Sequence, residues 1–411
     1  MKILLVTQYF WPENFRINDL AVHFQQQGHH VTVLTGIPNY PAGRFFDGYG
    51  LFKRTTEQWR GVEIIRAPLI PRGKGSGLRL AINYFSFALF ASIYGIVRLG
   101  RDFDVIFVHE PSPVTVGIPA IVMKKLTGAP ILFWVLDLWP ESVSAAGGVT
   151  QPWMMGALRR MTRWIYARCD RVLLQSMGFM RHAKEMGVPD ERVRYFPSWA
   201  EALYRPMAPV AGNKPAMPDG FCIVFAGNVG VAQDFGTILR AAEILKTEPH
   251  IKWIIIGDGR MLSWVRNEVR RRGLEQTVHL LGQHPVESMP AYFSHADALL
   301  VSLKKEPIFS STIPGKIQSY LACGKPVIAM LDGEGARIIK EAHAGVACPA
   351  EDVDALVQAV LRLSKMDHDD LAAMGHNGRQ YYEAHFDREV LFPRLEQWMR
   401  ELIIEGNSKS A

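Results

Sequence analysis

Short apolar runs rich in valine and isoleucine recur along the chain, separated by amphipathic stretches of helix length. In the first half they fall at 3–6, 31–34, 62–66, 105–108, 131–135, 171–174 and 194–196. The pattern restarts after residue 220, with runs at 223–226, 253–256, 278–280, 298–301, 327–330 and 345–347. Runs this short, alternating with helical segments, predict parallel sheets assembled from strand-helix-strand units, one sheet in each half. The opening MKILLVTQYFW has too few consecutive apolar residues for a secretory signal and is expected to be the first buried strand. Residues 205–220, with Pro206, Pro209, Pro215 and Pro218 and glycines at Gly212 and Gly220, read as a linker. The expected fold class is therefore α/β: two Rossmann-like, doubly wound domains, 1–204 and 221–389, facing a central cleft at the carboxyl ends of their strands. An amphipathic helix at about 390–404 is expected to cross back to the first domain.

One stretch breaks the pattern. Residues 80–97, LAINYFSFALFASIYGIV, contain no charge and are flanked by Arg72, Lys74 and Arg79 before and Arg98 and Arg101 after. The length suffices to span a bilayer. Spanning would separate the strands before it from the strand at 105–108, with which they should share a sheet, so two readings stay open. It is a buried helix of the first domain, or an in-plane helix with Tyr84, Phe85, Phe87, Phe90 and Tyr94 at the membrane interface.

Composition narrows the function classes. A chain of 411 residues, 48% hydrophobic and 21% charged, is neither disordered nor fibrous. Four dispersed cysteines, Cys169, Cys222, Cys323 and Cys348, form no C-x-x-C pair, so no disulfide framework or cysteine-rich zinc module is indicated. Residues 1–204 carry 23 Lys+Arg against 15 Asp+Glu, a net +8, while the remainder carries 23 against 25, a net −2. The basic half is expected to meet an anionic partner, with a surface kept basic for solubility as the competing reading. Its aromatics cluster in apolar runs instead of alternating with Arg and Lys, which speaks against nucleic acid.

Several chemistries lack their motifs. The turn after the first strand reads TQYFWPENFR and has no G-x-G-x-x-G, which disfavours a dinucleotide. The pairs Gly73-Lys74, Gly315-Lys316 and Gly324-Lys325 are never followed by Ser or Thr, so no Walker loop is present. Asp102-Phe103-Asp104 has the D-x-D form of a metal-holding pair but precedes a strand and is expected only to cap a turn. No metal site is expected.

What remains is glycine turns at strand ends. Gly227-Asn228-Val229-Gly230 follows the first strand of the second half and leads into a helix, and Gly257-Asp258-Gly259 and Gly282-Gln283 end the next two strands. Free N–H groups at a turn feeding a helix suit a diphosphate. Tight turns without a ligand are the competing reading. In TIPGKIQSYLACGKPV, residues 312–327, Lys316 lies near the start of a helix, where a cation could neutralise a leaving diphosphate. In the first half, Asp137 in the segment LDLWPE and Glu110 in the segment HEP stand at strand ends. They are the first and second candidates for orienting or deprotonating an acceptor hydroxyl; capping a helix is the competing role.

The G-x-x-G opening, the A-C-G-K-P-V helix stop and the segment YFWPEN followed by GHHVTVLT resemble glycosyltransferase family 4, retaining enzymes of the GT-B fold, over nearly the whole chain. FWPENFRIND, TGIPNYP, VLDLWPES, YFPSWAE and LDGEGAR are similar to its bacterial O-antigen and capsule branch, including L-fucosamine transferases. The resemblance implies a nucleotide-sugar co-substrate and no cofactor, with metal replaced by cations and helix N-termini. The family's two glutamates fall on Ser311 and Ser319, and its diphosphate-holding Arg and Lys fall near Asn228 and Gln233. On that alignment Lys316 supplies the lost positive charge, Ser319 stays in the donor set, and Glu334 takes over a hydroxyl or ribose contact. The paired glycines after strand one are replaced by Glu13-Asn14-Phe15-Arg16, so Asn14 and Arg16 are expected to hold a phosphate of donor or acceptor.

The expectation is a metal-independent, retaining transferase, cytoplasmic and peripheral on the inner membrane. It would move a sugar, such as an N-acetylated deoxyhexosamine, from a UDP-sugar to a polyprenyl-diphosphate-linked saccharide. A UDP-sugar 2-epimerase of the same architecture and a catalytically silent assembly protein are the rivals.

Overall fold

Strands buried on both faces must be apolar at every position, and that is what the runs encode. In the computed structural model, which describes residues 1–73, 76–145, 151–208 and 215–410, the first half forms an eight-stranded sheet. Its strands are β1 (Lys2–Thr7), β2 (His30–Gly36), β3 (Thr56–Trp59), β4 (Val62–Ala67), β5 (Val105–Glu110), β6 (Ile131–Val135), β7 (Arg171–Leu174) and β8 (Val193–Tyr195). The order is β3-β4-β2-β1-β5-β6-β7-β8. All neighbours are parallel except β3, which pairs antiparallel with β4.

β3 is the strand that the apolar pattern misses. It lies at the sheet edge, its residues are alternately exposed and half-buried, and it needs no apolar run. Its two-residue connection to β4, Arg60 at φ 51° and Gly61 at φ 84°, has the positive dihedrals that suit a right-twisted hairpin.

The second half builds a six-stranded parallel sheet from β9 (Phe221–Ala226), β10 (Ile251–Ile256), β11 (Val278–Gly282), β12 (Ala298–Ser302), β13 (Val327–Met330) and β14 (Gly345–Cys348), in the order β11-β10-β9-β12-β13-β14. Successive residues feed opposite cores. Ile223 and Phe225 pack on one face with Trp253 and Ile255, while Val224 and Ala226 pack on the other with Ile254 and Ile256. Both sheets are doubly wound, the expected fold class.

The chain divides into two units, Met1–Pro197 with Phe392–Ala411, and Ser198–Leu391. The division falls before residue 204 because Ala200 is already buried in the core of the second unit. The middle of the expected linker, 209–214, and Lys74 lie outside the described residues. The last helix, Arg388–Ser410, belongs to the first unit from Phe392 onward. There Phe392, Leu395, Met399 and Leu402 are buried, Glu396 reaches His29 at 3.2 Å and Glu405 pairs with Arg171 at 2.8 Å.

The charge-free stretch is the helix Gly77–Arg98, and it resolves into two faces. Asn83, Ser86, Phe87, Ala88, Ala91 and Gly95 are buried. The Asn83 side chain accepts from the Gln8 amide at 2.7 Å and donates to the Ile70 carbonyl at 2.6 Å, and Ser86 accepts from the Ile70 N–H at 3.0 Å. Leu78, Ile82, Phe85, Leu89, Ile93 and Ile96, at helical spacing, form an exposed apolar stripe. Because β4 before the helix and β5 after it share one sheet, the helix does not cross a membrane in this fold. Of the aromatics expected at an interface, Phe87 is instead in the core, on the same face as Asn83.

Candidate functional site

In the second unit the turns after β9, β10 and β11 are stitched together through main chain. Gly227 N–H donates to Ile256 O at 2.8 Å, Val229 N–H to Asp258 O at 2.8 Å, and Gly257 N–H to Gly282 O at 2.8 Å. The approach is so close that a Cβ on Gly257 would lie 1.9 Å from Gly227 O, and one on Gly259 would lie 2.3 Å from Val229 O. These glycines are therefore required by packing, whatever they bind. The surface they leave is open: Gly227, Asn228 and Asp258 are exposed, with Gly257 and Gly259 half-buried. Asp258 accepts from the Gly259 N–H at 2.7 Å. The Gln233 side chain is spent within the chain, accepting from Gly230 N–H at 3.1 Å.

Lys316 lies against this platform. The helix Gly315–Ala322 carries it to the carboxyl end of β9, where its ammonium sits 3.6 Å from the centre of the Phe225 ring. A Cβ on Gly227 would touch its Cε at 2.8 Å. No acidic group pairs with it among the described residues, and desolvation pulls its pKa down to about 7. Tyr320, on the same helix, ties the platform to it by accepting from Ala226 N–H at 3.1 Å and donating to Ala226 O at 3.4 Å. Sequence reasoning passed over Tyr320, although its hydroxyl one turn beyond Lys316 was the available signal.

Two expected donor contacts are placed differently. Ser319 is buried and donates to its own helix at Gly315 O, 3.4 Å away. Glu334 is held in a two-pronged ion pair by Arg337, at 2.9 and 3.2 Å, and Arg337 also grips Glu341 at 2.6 Å. The Glu334 carboxylate thus has a fixed partner three residues on, and a ribose contact from it would be made alongside that ion pair.

In the first unit, Glu110 ends β5 and Asp137 follows β6, on adjacent strands. Glu110 is 0% exposed, and its Oε2 accepts from the Asp137 N–H at 3.4 Å while Oε1 has no partner. Burial and the neighbouring Asp137 charge push its carboxyl well above the usual range. The expectation that Glu110 meets an acceptor is corrected: it stands behind Asp137. Asp137 itself is half-buried, with the Ser142, Ser112 and Trp139 side chains and the Leu138 N–H stabilising its charge against a net upward shift from burial. His109, next to Glu110, shares a 2.9 Å hydrogen bond with Thr7 and is driven by burial down to about 3, hence neutral.

Asn14 is exposed and Arg16 half-buried just before the helix Ile17–Gln26. Between β1 and that helix the structure adds a residue that sequence reasoning missed, Glu13. It is 2% exposed, and its Oε1 accepts from Asn39 N–H at 2.8 Å and Tyr40 N–H at 2.7 Å, joining the turns after β1 and β2. Burial raises its pKa to about 7 against the pull of those N–H groups. Asp102 pairs with Lys2, and Asp104 accepts from Lys2 N–H at 2.7 Å, so the D-x-D segment anchors the start of β1.

Residues 14–199 match the glycosyl transferase 4-like domain, and residues 220–366 match the domain of glycosyl transferases group 1. The chain is 24% identical to WcaI of Escherichia coli (strain K12), by name a colanic acid biosynthesis glycosyl transferase, over 95% of this chain and 97% of that one. It is 27% identical to the amylovoran biosynthesis glycosyltransferase AmsK of Erwinia amylovora over 41% of each. Among solved structures it is similar to sucrose-phosphate synthase from Thermosynechococcus elongatus, with a TM-score of 0.74 and 18% identity over 98% of this chain and 99% of that one. HepE of Anabaena, in complex with UDP and glucose, gives 0.69 and 15% over 97% and 99%. At such identities the likeness establishes the fold, which is GT-B.

The Glu13 carboxyl yields a pH-dependent prediction. Its folded pKa, about 7, lies above the unfolded value of 4.5, so its contribution to stability is full below pH 4.5 and is lost as pH rises through 7. In Glu13→Gln the amide oxygen can accept the same two N–H groups without ionising. The melting temperature of Glu13→Gln relative to the parent is expected to rise between pH 5 and pH 8; a difference that stays flat or falls overturns the assignment.

Proposed function

We propose that this chain, which belongs to the glycosyltransferases by both of its domains, moves a sugar from a UDP-linked donor to a saccharide carried on a polyprenyl diphosphate, with retention and without a metal ion, in exopolysaccharide synthesis. The observation that carries the reading is the Lys316 ammonium, unpaired beneath an exposed platform of glycine turns. An apolar seat is a poor place for an unpaired cation, and a lysine held there at a depressed pKa is typical of a functional group. A diphosphate laid over the Gly227 turn would supply the missing counter-charge. The relatives' names support an exopolysaccharide role, and HepE's bound UDP supports a UDP-linked donor.

In this reading the bond from the sugar carbon to the diphosphate oxygen breaks with its electron pair on the diphosphate, which Lys316 and the turn N–H groups stabilise. The acceptor oxygen attacks the same face. Its proton passes to the departing phosphate or to Asp137, whose raised pKa makes it the stronger base. Burial disfavours the charged form of Glu110, which leaves the half-buried Asp137 as the carboxylate offered to the acceptor. With Ser319 and Glu334 engaged internally, the exposed Asn228 and Asp258 become the polar side chains nearest to hand for the donor.

A lipid-linked acceptor also gives the apolar stripe on Gly77–Arg98 a use as an in-plane membrane contact. In the same unit, the helix Pro152–Tyr166 exposes Trp153 and Trp164 together with Arg159, Arg160 and Arg163, the composition of a helix lying on anionic lipid. Tyr84, on the lipid-facing helix, stacks edge-on with Trp139 at 6.0 Å, beside the Asp137 turn.

Nucleotide release from UDP-, GDP- and dTDP-sugars, including UDP-N-acetylfucosamine, with and without a short-chain polyprenyl-diphosphate saccharide, tests the reaction. Release from a UDP-sugar that needs the acceptor is expected; acceptor-independent release, or release only from another nucleotide, overturns it. For the diphosphate contact, Lys316→Met is expected to weaken UDP binding about ten- to a hundredfold, the loss of a charge-assisted contact. The folded pKa of Lys316 lies below its unfolded value of 10.5, so the lysine costs stability below pH 7 and that cost disappears as pH rises toward 10.5. Lys316→Met should therefore melt higher than the parent at pH 6 and lose that advantage by pH 10; unchanged UDP affinity sinks the role. For the membrane face, the paired change Leu89→Glu with Ile93→Glu should abolish co-sedimentation with phosphatidylglycerol vesicles while leaving UDP binding intact. Retained sedimentation would remove this helix from the contact.

A further inference from the structure

A second cavity lies wholly within the first unit, at the carboxyl ends of β1, β2 and β4. It has a volume of about 790 Å³; the turn after β1 lines it with Trp11 and Pro12, the turn after β2 with Arg44, Asp47 and Tyr49 among others, and the approach to and body of β3 with Arg54, Glu57 and Gln58. That size is ordinary for a small-ligand pocket. Nothing in the transfer chemistry uses it.

Its lining is selective. The Trp11 ring is 37% exposed and lies flat on Trp59, with centroids 4.7 Å apart and planes 11° from parallel, which holds it as a rigid aromatic platform. Arg54 extends over the Tyr49 ring at 5.2 Å, and Arg44 is exposed in the adjoining turn. Neither arginine has an ion-pair partner among the described residues. Of the acidic groups at the wall, Glu57 is already neutralised by the fully buried Arg66 at 2.9 Å, which leaves Asp47 against two free guanidinium groups. The surplus of positive charge at the wall therefore comes from Arg44 and Arg54.

Flat apolar faces beside planar, bidentate cation forks fit a ring with C–H faces and an attached carboxylate. We infer that this cavity binds a carboxylate-bearing pyranose, an acidic sugar of the acceptor saccharide. β1, whose turn provides Trp11, is two strands from β6, whose end provides Asp137, a lateral offset of roughly 10 Å at ordinary strand spacing. The acidic sugar would thus sit beyond the reacting hydroxyl, as an anchor for the growing chain. The inference rests on the reading of a saccharide acceptor, and it names one feature of that acceptor.

The test is titration of the full chain with methyl glucuronide, methyl glucoside and inorganic phosphate. The glucuronide is expected to bind at least about tenfold more tightly than the glucoside, the scale of one charge-assisted contact. Arg44→Gln and Arg54→Gln should each reduce that preference, and Trp11→Ala should weaken both sugars. The two arginine variants should keep the parent's melting temperature and all three its UDP affinity, with some loss of melting temperature in Trp11→Ala from its stacking on Trp59, which separates lost binding from lost folding. Equal affinity for the two sugars overturns the inference, as does phosphate displacing the glucuronide at equal or lower concentration. Glucuronide binding can persist where acceptor-dependent nucleotide release fails, and release can proceed where glucuronide binding is absent, so the two readings fall separately.

Discussion

At the carboxyl ends of β9 and β10 two main chains pass closer than any side chain would allow. Gly257 can lie against Gly227, while donating to Gly282, only because Gly257 carries no Cβ. From that approach follows the rest of the second unit's chemistry. The three turns lock into one rigid surface, Tyr320 pins its inner edge at Ala226, and the helix bearing Tyr320 delivers Lys316 to the space beneath Gly227. An alanine at Gly227 would displace the ammonium, so the glycine and the lysine are one device: the absent methyl is the room that the cation occupies.

The first unit solves a different problem, how to hold a long apolar helix with one face exposed. Asn83 and Ser86 fasten the helix through hydrogen bonds that can form only from its inward face. A buried amide left unpaired costs a few kcal/mol, so rotating the helix to hide its apolar stripe would expose that cost. The polar residues therefore fix which side chains point outward. They also fix Tyr84 beside Trp139, so that the same helix borders both the outer surface and the turn bearing Asp137.

Much of this was legible in the chain. Apolar runs located the strands because central parallel strands are buried on both faces, and the helix-start position of Lys316 marked it as a candidate cation. What escaped depends on partners distant in sequence. No local pattern says that Phe225 and Gly227 form the seat of Lys316, or that Glu13 receives the N–H groups of Asn39 and Tyr40. Glu110 and Asp137 look alike as strand-end carboxylates; only the tertiary packing turns one inward and leaves the other half-open. Two signals were present and unused. The three-residue spacing of Glu334 and Arg337 on a helix favours the ion pair that occupies both, and the Arg60-Gly61 step marks the hairpin that adds β3.

The distribution of unmatched charge carries the last step. Several ionisable groups are compensated within the fold: Asp170 with Lys124, Glu57 with Arg66, Glu334 and Glu341 with Arg337, Asp102 with Lys2. Lys316 and the pair Glu110 and Asp137 are desolvated without such a partner among the described residues, and in opposite senses. In the second unit a cation is desolvated without an anion; in the first, two carboxyls share one buried corner without a cation. Stability alone would remove both, since apolar residues of similar size pack there at no electrostatic cost. The proposed sugar transfer would use each of them: a positive charge where a diphosphate departs, and a carboxylate that can take a proton from a hydroxyl. On that proposal each unit, taken by itself, carries an electrostatic cost that its own ligand would relieve.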